Sequence, residues 1–362
     1  MTDVPEHCMH GALGVGKGWA PPFLVTHCDE LARPAYSKVK AHEYEEDPQT
    51  LRKKVKVMAS LIQKSNHFLA YTGAGISTAS GIKDYASKSK NSVAVNQQKK
   101  SSGLDALPTY AHFTLAALSE AGYLKHWVQQ NHDGLPQKAG YPQSNLNEIH
   151  GAWFDPSNPV VPMSGSLRDD LFDWMNREEH EADLVLAMGT SLSGMNADRM
   201  VSTPAKKYLK KGKGHGAIII GFQQTKLDKL ASLRIFARID EVMKMLNEEL
   251  GLEVDATRLY SPTIPKEAKT KKKHVFQVPY DPVTGERSDS KTTLWDLREG
   301  AKIKLTDGPG KGFEGKVKRV PSSATDHYSI VCPNTREGPH LGEGLHHYRV
   351  GCWWTETCAK GE

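Results

Sequence analysis

The chain has 362 residues, 38% of them hydrophobic and 25% charged, with a formal net charge of +5 spread along its length. That composition excludes a disordered polar chain, and the length suits one large domain or two ordinary ones. No apolar run approaches the roughly 20 residues a membrane-spanning helix needs, and so mild a positive charge leaves nucleic acid a weak candidate partner.

Residues 1–46 are rich in Pro, Gly and His without a clear period and read as an irregular N-terminal arm. Its opening, "MTDVPEHCMHGALGVGKGWAPP", lacks the basic-then-apolar order of a secretory signal. Within it "GALGVGKG" approaches a P-loop, but it ends in Gly18 and no strand precedes it. "DPQTLRKKVKVMASLIQKS" then places Asp47 as N-cap and Pro48 at the first helical position. Leu51, Val55, Met58 and Ile62 share one face of that helix. "HFLAYT" comes next as a buried strand and runs into the glycine turn of "GAGISTASG", whose small and polar residues open a further helix. "LKHWVQQN" (124–131), "ADLVLAMGTS" (182–191) and "GAIIIGF" (216–222) are apolar runs ending in polar or small residues. "TYAHFTLAALSEAG" and "IDEVMKMLNEELG" have helical spacing, the second closed by Gly251. Strands this continuously apolar, alternating with helices, predict a parallel sheet covered on both faces, with a ligand at the carboxyl ends of its strands.

A polar, basic, proline-containing linker covers 256–274, and its "AKTKKKH" reads as a solvated stretch ahead of a nuclear address or a phosphate-contacting patch. From 275 to 362, turn signals at "DPVTGE", "DGPGKG" and "PSSATD" separate β-leaning runs, which predicts a small all-β module. "REGAKIKLTDGPGKGFEGKVKRV" resembles the KOW motif of SH3-like barrels, with Gly310, Gly312 and Gly315 supplying turn conformations. Such barrels bind RNA, proteins or peptides. For Tyr348, Trp353 and Trp354, core packing is the expected role ahead of a binding face.

The strand ends carry the chemistry. Gly73 and Gly75 let a backbone approach a pyrophosphate, and Ser77 adds a hydroxyl donor. A tight strand–helix turn with no ligand remains open for this segment alone. "QQNHDGL" groups Gln130, Asn131 and Asp133, "NEIHG" sets His150 beside a glycine, and "GTS" (189–191) ends another strand. Four such ends point to one crevice rather than four independent turns.

In that order, GAGIS, QN-x-D, E-I-HG and GTSL resemble the sirtuins, the NAD-dependent protein deacylases. "ALPTYAHFTL", "GSLRDDLFDW" and "QQTKLDKLASLRI" are similar to stretches of the nuclear class IV branch. The likeness runs from about Asp47 to Val254. It implies a Rossmann-like domain over 47–255, a small module, and a cleft where NAD and an acyl-lysine peptide meet. Carried over, it implies that Gly73, Ala74, Gly75, Ser77, Gly189, Thr190 and Ser191 cradle the NAD pyrophosphate. Ile82 and Asp84 would hold the nicotinamide amide, with Tyr85 among the cofactor-binding residues, Gln130, Asn131 and Asp133 around the nicotinamide ribose, and Asp240 and Val242 near the adenine. His150 is the implied base on a ribose hydroxyl, with Asn131 and Asp133 as catalytic partners.

This chain departs from the family at four places. G-I-P-D-F-R is replaced by Gly81-Ile82-Lys83-Asp84-Tyr85-Ala86, so the cofactor-loop arginine is gone. Pro136 replaces a histidine after D-G-L, and Gly221 stands where an asparagine usually meets the adenine ribose. No cysteine lies between His150 and Cys332, so the family's zinc module is not expected; the metal expectation is none. The five scattered cysteines, with no C-x-x-C pair, argue for a reducing intracellular compartment, with nucleus against cytoplasm or cytoskeleton left open.

Three readings are open at this point: a zinc-free deacylase of acylated protein lysines, an NAD glycohydrolase, and a lapsed sirtuin fold serving in a larger assembly, with protein partners reached through the C-terminal barrel and the arm.

Overall fold

The helix that the Asp47–Pro48 pair predicts spans Pro48–Lys64, and Asp47 caps it by accepting the Thr50 N–H at 2.9 Å. Leu51, Val55, Met58 and Ile62 are all buried on one face of it. The structure is a computed structural model that describes residues 5–94, 102–162, 165–308, 310–334 and 344–361. The chain forms two compact units: 1–131 with 145–149 and 167–258, and 132–144 with 150–166 and 259–362.

In the first unit the arm carries three short elements, α1 (Glu6–His10), β1 (Phe23–Thr26) and β2 (Glu43–Glu45), with β1 and β2 antiparallel. After α2 (Pro48–Lys64) come β3 (Phe68–Thr72), α3 (Tyr110–Glu120), β4 (Leu124–Gln129), β5 (Leu146–Glu148), α5 (Asp169–Glu181) and β6 (Leu184–Met188). The short α4 (Leu135–Lys138) belongs to the second unit. Next in the first unit are α6 (Arg199–Lys211), β7 (Gly216–Ile220), β8 (Leu233–Ile235) and α7 (Ile239–Leu250), the last closed by Gly251 at φ +68°. The six strands β3 to β8 form one parallel sheet in the order β5-β4-β3-β6-β7-β8. Every residue of β3, β6 and β7 is buried, as expected for a sheet covered on both faces. The arm pairs with the segment leading into β8: Ala12 and Leu13 donate to the carbonyls of Ala231 and Ser232, each at 2.9 Å.

A buried charge network lies beside β8. Lys54 Nζ reaches Glu46 Oε1 (2.5 Å) and the carbonyls of Arg234 (2.7 Å) and Met9 (3.1 Å). Arg234 binds Asp228 Oδ1 (3.0 Å) and stacks 3.6 Å from the Phe236 ring centroid.

At the N-terminus of α3, His112 Nδ1 accepts the Thr109 N–H (3.2 Å), which puts the ring proton on Nε2. That Nε2 is buried without a hydrogen-bond partner among the described residues, and burial pushes the pKa down to about 3. Unfolded, the imidazole titrates near 6.5. Its folded value is depressed, so the stability it contributes is complete above about pH 6.5 and falls as pH drops toward 3. His10, lowered to about 4 by burial and then by Lys54, acts in the same sense. Denaturant melts from pH 7 to 4.5 should therefore show stability falling, by up to about 1.4 kcal/mol per pH unit per buried histidine. His112→Asn, which keeps an acceptor for the Thr109 N–H, should flatten that slope; an unchanged slope would remove His112 as its source.

The second unit contains β9 (Val275–Val278) paired with β10 (Thr293–Asp296), and an antiparallel sheet in the order β11 (Lys302–Lys304), β12 (Glu314–Arg319), β13 (His327–Asn334), β14 (Gly344–Gly351). It ends in α8 (Cys352–Lys360). Gly312 takes φ +91°, a turn conformation that favours glycine. Gly310 and Gly315 serve space instead: a Cβ would lie 2.7 Å from the Tyr348 hydroxyl and 2.5 Å from Cys332 Sγ respectively. Segments 132–144 and 150–166 are built into this unit. Phe154 packs edge-on to Trp353 at 5.3 Å and against His327 at 5.3 Å, and its carbonyl accepts the Gly351 N–H at 3.1 Å. Trp353 is buried, as core packing predicts. Among the described residues no helix is long and apolar enough to cross a membrane.

Candidate functional site

The strand order reverses at β3: β4 and β5 lie on one side, and β6, β7 and β8 on the other. The carboxyl ends of β3 and β6 therefore flank a topological switch point, where open α/β sheets take their ligands. Two glycine turns meet there. Gly73 N–H donates to Met188 O (3.1 Å) and Gly75 N–H to Gly189 O (2.8 Å). A Cβ on Gly75 would sit 2.6 Å from Gly189 Cα, and one on Gly189 (φ +59°) 2.4 Å from the Ile76 nitrogen. Both glycines are thus required by backbone packed directly on backbone, a demand separate from any ligand.

The residues after Gly73 differ from the expected helix. They form two 3₁₀ turns, Ala74–Ile76 and Thr78–Ser80, closed by Gly81 at φ +83°. Turns this short develop little macrodipole, so anion binding here would rest on individual N–H and O–H groups.

The first unit brings most of the expected residues together. The Asn131 amide donates to Gly73 O (3.3 Å) and to Ser77 Oγ (3.1 Å), and Asn131 and Ser77 are both buried. Gln130 Nε2 donates to Thr190 Oγ1 at 2.9 Å, tying the β4 end to the β6 end. Ser191 and Ser193 share a hydroxyl pair at 2.6 Å. Ala74 is half-buried beside them.

Other expected residues are engaged locally. Asp84 accepts the N–H groups of Ala86 (3.1 Å) and Ser87 (2.8 Å) and the Ser87 hydroxyl (2.8 Å), so its carboxylate closes its own turn. Ile82 is half-buried next to it, and Tyr85 is 70% exposed with the Arg33 guanidinium 5.5 Å from its ring centroid. Ala86, where the arginine is missing, packs on the arm's Cys28, Ala32 and Ala41. Asp240 Oδ1 accepts the Ala111 N–H (2.9 Å) at the start of α3, and burial holds its carboxyl above the usual range. Val242 is fully buried. A Cβ at Gly221 would meet open space.

Asp133 and His150 belong to the second unit. Asp133 is buried and accepts the Leu135 N–H at 3.1 Å, heading α4. His150 is half-buried, and its carbonyl accepts the Val161 N–H at 2.9 Å. Gly151, at φ +88°, leaves no room for a side chain: a Cβ would lie 2.2 Å from Pro159 O. Sequence reasoning missed two further residues. His132 Nδ1 bonds Gly151 O at 2.9 Å and so steadies the His150–Gly151 turn; its place inside QN-x-D was the available signal. Gln129, the last residue of β4, is fully buried with neither side-chain polar atom partnered among the described residues.

The cysteine-ligated zinc that the resemblance implies would find no thiolate donor in segment 150–166. The two clusters of metal-ligating side chains among the described residues lie in the first unit.

A doubly wound parallel sheet with glycine turns and buried amide and hydroxyl groups at its switch point defines the Rossmann-like α/β fold class. No family model matches the chain. It is 28% identical over 262 residues to the NAD-dependent protein deacetylase sirtuin-7 of Bos taurus, covering 60% of this chain and 65% of that one. It is 32% identical to the NAD-dependent protein deacetylase SRT1 of Arabidopsis thaliana (59% and 52%), and 29% identical to Sirt6 of Drosophila melanogaster (59% and 80%). A solved structure described as "Structural Basis for the Mechanism and Regulation of Sir2 Enzymes" aligns at TM-score 0.47 and 21% identity, over 55% of this chain and 98% of that one. With its motifs in family order, the chain is similar to the sirtuins. It spans 65% and 52% of the length of the first two of these relatives.

Proposed function

We propose that this chain binds NAD at the carboxyl ends of β3, β4 and β6 and uses it to remove acyl groups from protein lysines without a zinc module. The observation that carries the reading is the Asn131 amide, buried and held on Gly73 O and Ser77 Oγ. Bound NAD would supply an electrophilic ribose carbon as nicotinamide departs. Fixed dipoles such as the Asn131 amide suit developing positive charge there, because they need no reorganisation in a water-poor setting. Gln130 and Thr190 hold two strand ends in register. His150, by its place in the motif, is the proposed base that takes a ribose hydroxyl proton. The packing of Phe154 on Trp353 is proposed to do for 132–144 and 150–166 what bound metal does in sirtuins.

The Asp84 carboxylate turned onto its own loop, together with Ala86 packed on the arm, favours a second reading: a lapsed sirtuin fold in a larger assembly. Incubating the full chain with NAD, with and without an acetylated peptide, separates these readings. Nicotinamide release that needs peptide is the expected outcome. Release without peptide makes the protein an NAD glycohydrolase. No release, with no NAD binding by calorimetry, leaves only the structural role.

A further inference from the structure

Toward the amino ends of β3 and β4, on the side of the sheet away from the switch point, three elements converge on one spot. His67 precedes β3, His126 is the third residue of β4, and Glu178 and Glu181 lie in the last turn of α5. His67 Nε2 is 2.7 Å from Glu178 Oε2, and His126 Nε2 is 3.5 Å from Glu178 Oε1. The ligand atoms of His67, Glu178 and Glu181 all lie within 4.8 Å of one another. Trp174, one turn before Glu178, packs edge-on to the His126 ring at 5.4 Å and limits its rotation.

We propose that His67, His126 and Glu178 form a site for a divalent transition metal of the Zn²⁺ type, with Glu181 or water as the fourth ligand. Imidazole and carboxylate donors suit zinc and its neighbours rather than Mg²⁺ or Ca²⁺, which take oxygen shells. Ligand atoms around a tetrahedral Zn²⁺ at about 2.0–2.2 Å stand roughly 3.3 Å apart, close to the 2.7 and 3.5 Å that separate the two imidazoles from Glu178, while the His67 and His126 ring centroids lie 6.3 Å apart. Two carboxylates beside two imidazoles carry the charge that one divalent cation cancels. The carboxyl end of the 13-residue α5 adds the negative pole of its dipole. His126 Nδ1 is buried with no hydrogen-bond partner among the described residues, so its Nε2, facing Glu178, is the nitrogen placed to ligate.

The arm's cluster of His27, Asp29 and His42 is the internal control. There His42 Nδ1 accepts the Cys28 N–H at 3.0 Å, so the neutral ring carries its proton on Nε2, and Lys40 already pairs with Asp29. The proposed metal site does not depend on the nucleotide reading. The test titrates Zn²⁺ into the full chain after stripping with chelator, read by calorimetry and thermal melts. One equivalent should bind and raise Tm. The pair His67→Gln/His126→Gln should weaken binding at least about tenfold, while His27→Gln/His42→Gln leaves it unchanged. X-ray absorption of the Zn²⁺-loaded wild type, which needs no variant to fold, should count two imidazoles and no thiolate. Absence of stoichiometric binding, thiolate ligation, or loss of binding only in the His27/His42 pair would overturn the site.

Discussion

Replacing His150 with alanine is expected to lower peptide-dependent deacylation by about 10²–10⁴-fold, the range a positioned general base contributes. The fold around it should survive. The backbone of the turn is held by the His150 carbonyl to Val161, by His132 to Gly151 O, and by the glycine at 151, none of which needs the imidazole. An unchanged melting temperature with lost turnover therefore assigns the loss to chemistry. If His150→Ala turns over like wild type, the base is elsewhere and the proposed mechanism fails. If wild type itself releases no nicotinamide, the variant is uninformative about the base, and the structural reading stands instead.

Lys54→Met is expected to destabilise the first unit by about 3–5 kcal/mol, a large effect for a single substitution. Lys54 and Glu46 are both inaccessible to solvent, and Glu46 Oε1 also accepts the Phe236 N–H at 3.0 Å. Burial depresses Lys54 to about 8 and raises Glu46, each opposed by the attraction of the other. Removing the ammonium alone strands a carboxylate whose Oε2 already lacks a partner among the described residues. The double change Lys54→Met/Glu46→Leu removes both charges and should recover most of the loss, because a buried ion pair contributes little net stability against a well-packed apolar replacement. Urea unfolding of the two variants decides the point. A single variant within about 0.5 kcal/mol of wild type would mean that water reaches this network.

Several features were legible because they are local. The Asp47 cap, the Pro48 start and the Gly251 stop each act within one helical turn, and the structure shows all three. The apolar strands, the glycine turn and the order of the motifs led to the parallel sheet and to the Gly73, Gln130, Asn131 and Thr190 grouping. The 3₁₀ character after Gly73 was not legible, since small polar residues such as Ser77 and Thr78 suit a helix start and a tight turn equally. Nor was the engagement of Asp84 with Ser87, which depends on a loop closing on itself.

By itself the sequence determined the strands and helices of the parallel sheet, their alternation and a resemblance to the sirtuins, because hydrophobic period and turn chemistry are carried by neighbouring residues; the short elements of the arm and the helix α8 it did not show. Tertiary structure alone decided which distant groups meet. It buried Lys54 out of a run of solvated lysines, joined Phe154 to Trp353, and converged His67, His126 and Glu178 on one point. Those contacts link residues far apart in the chain, and only the packing of strand against helix sets their distances.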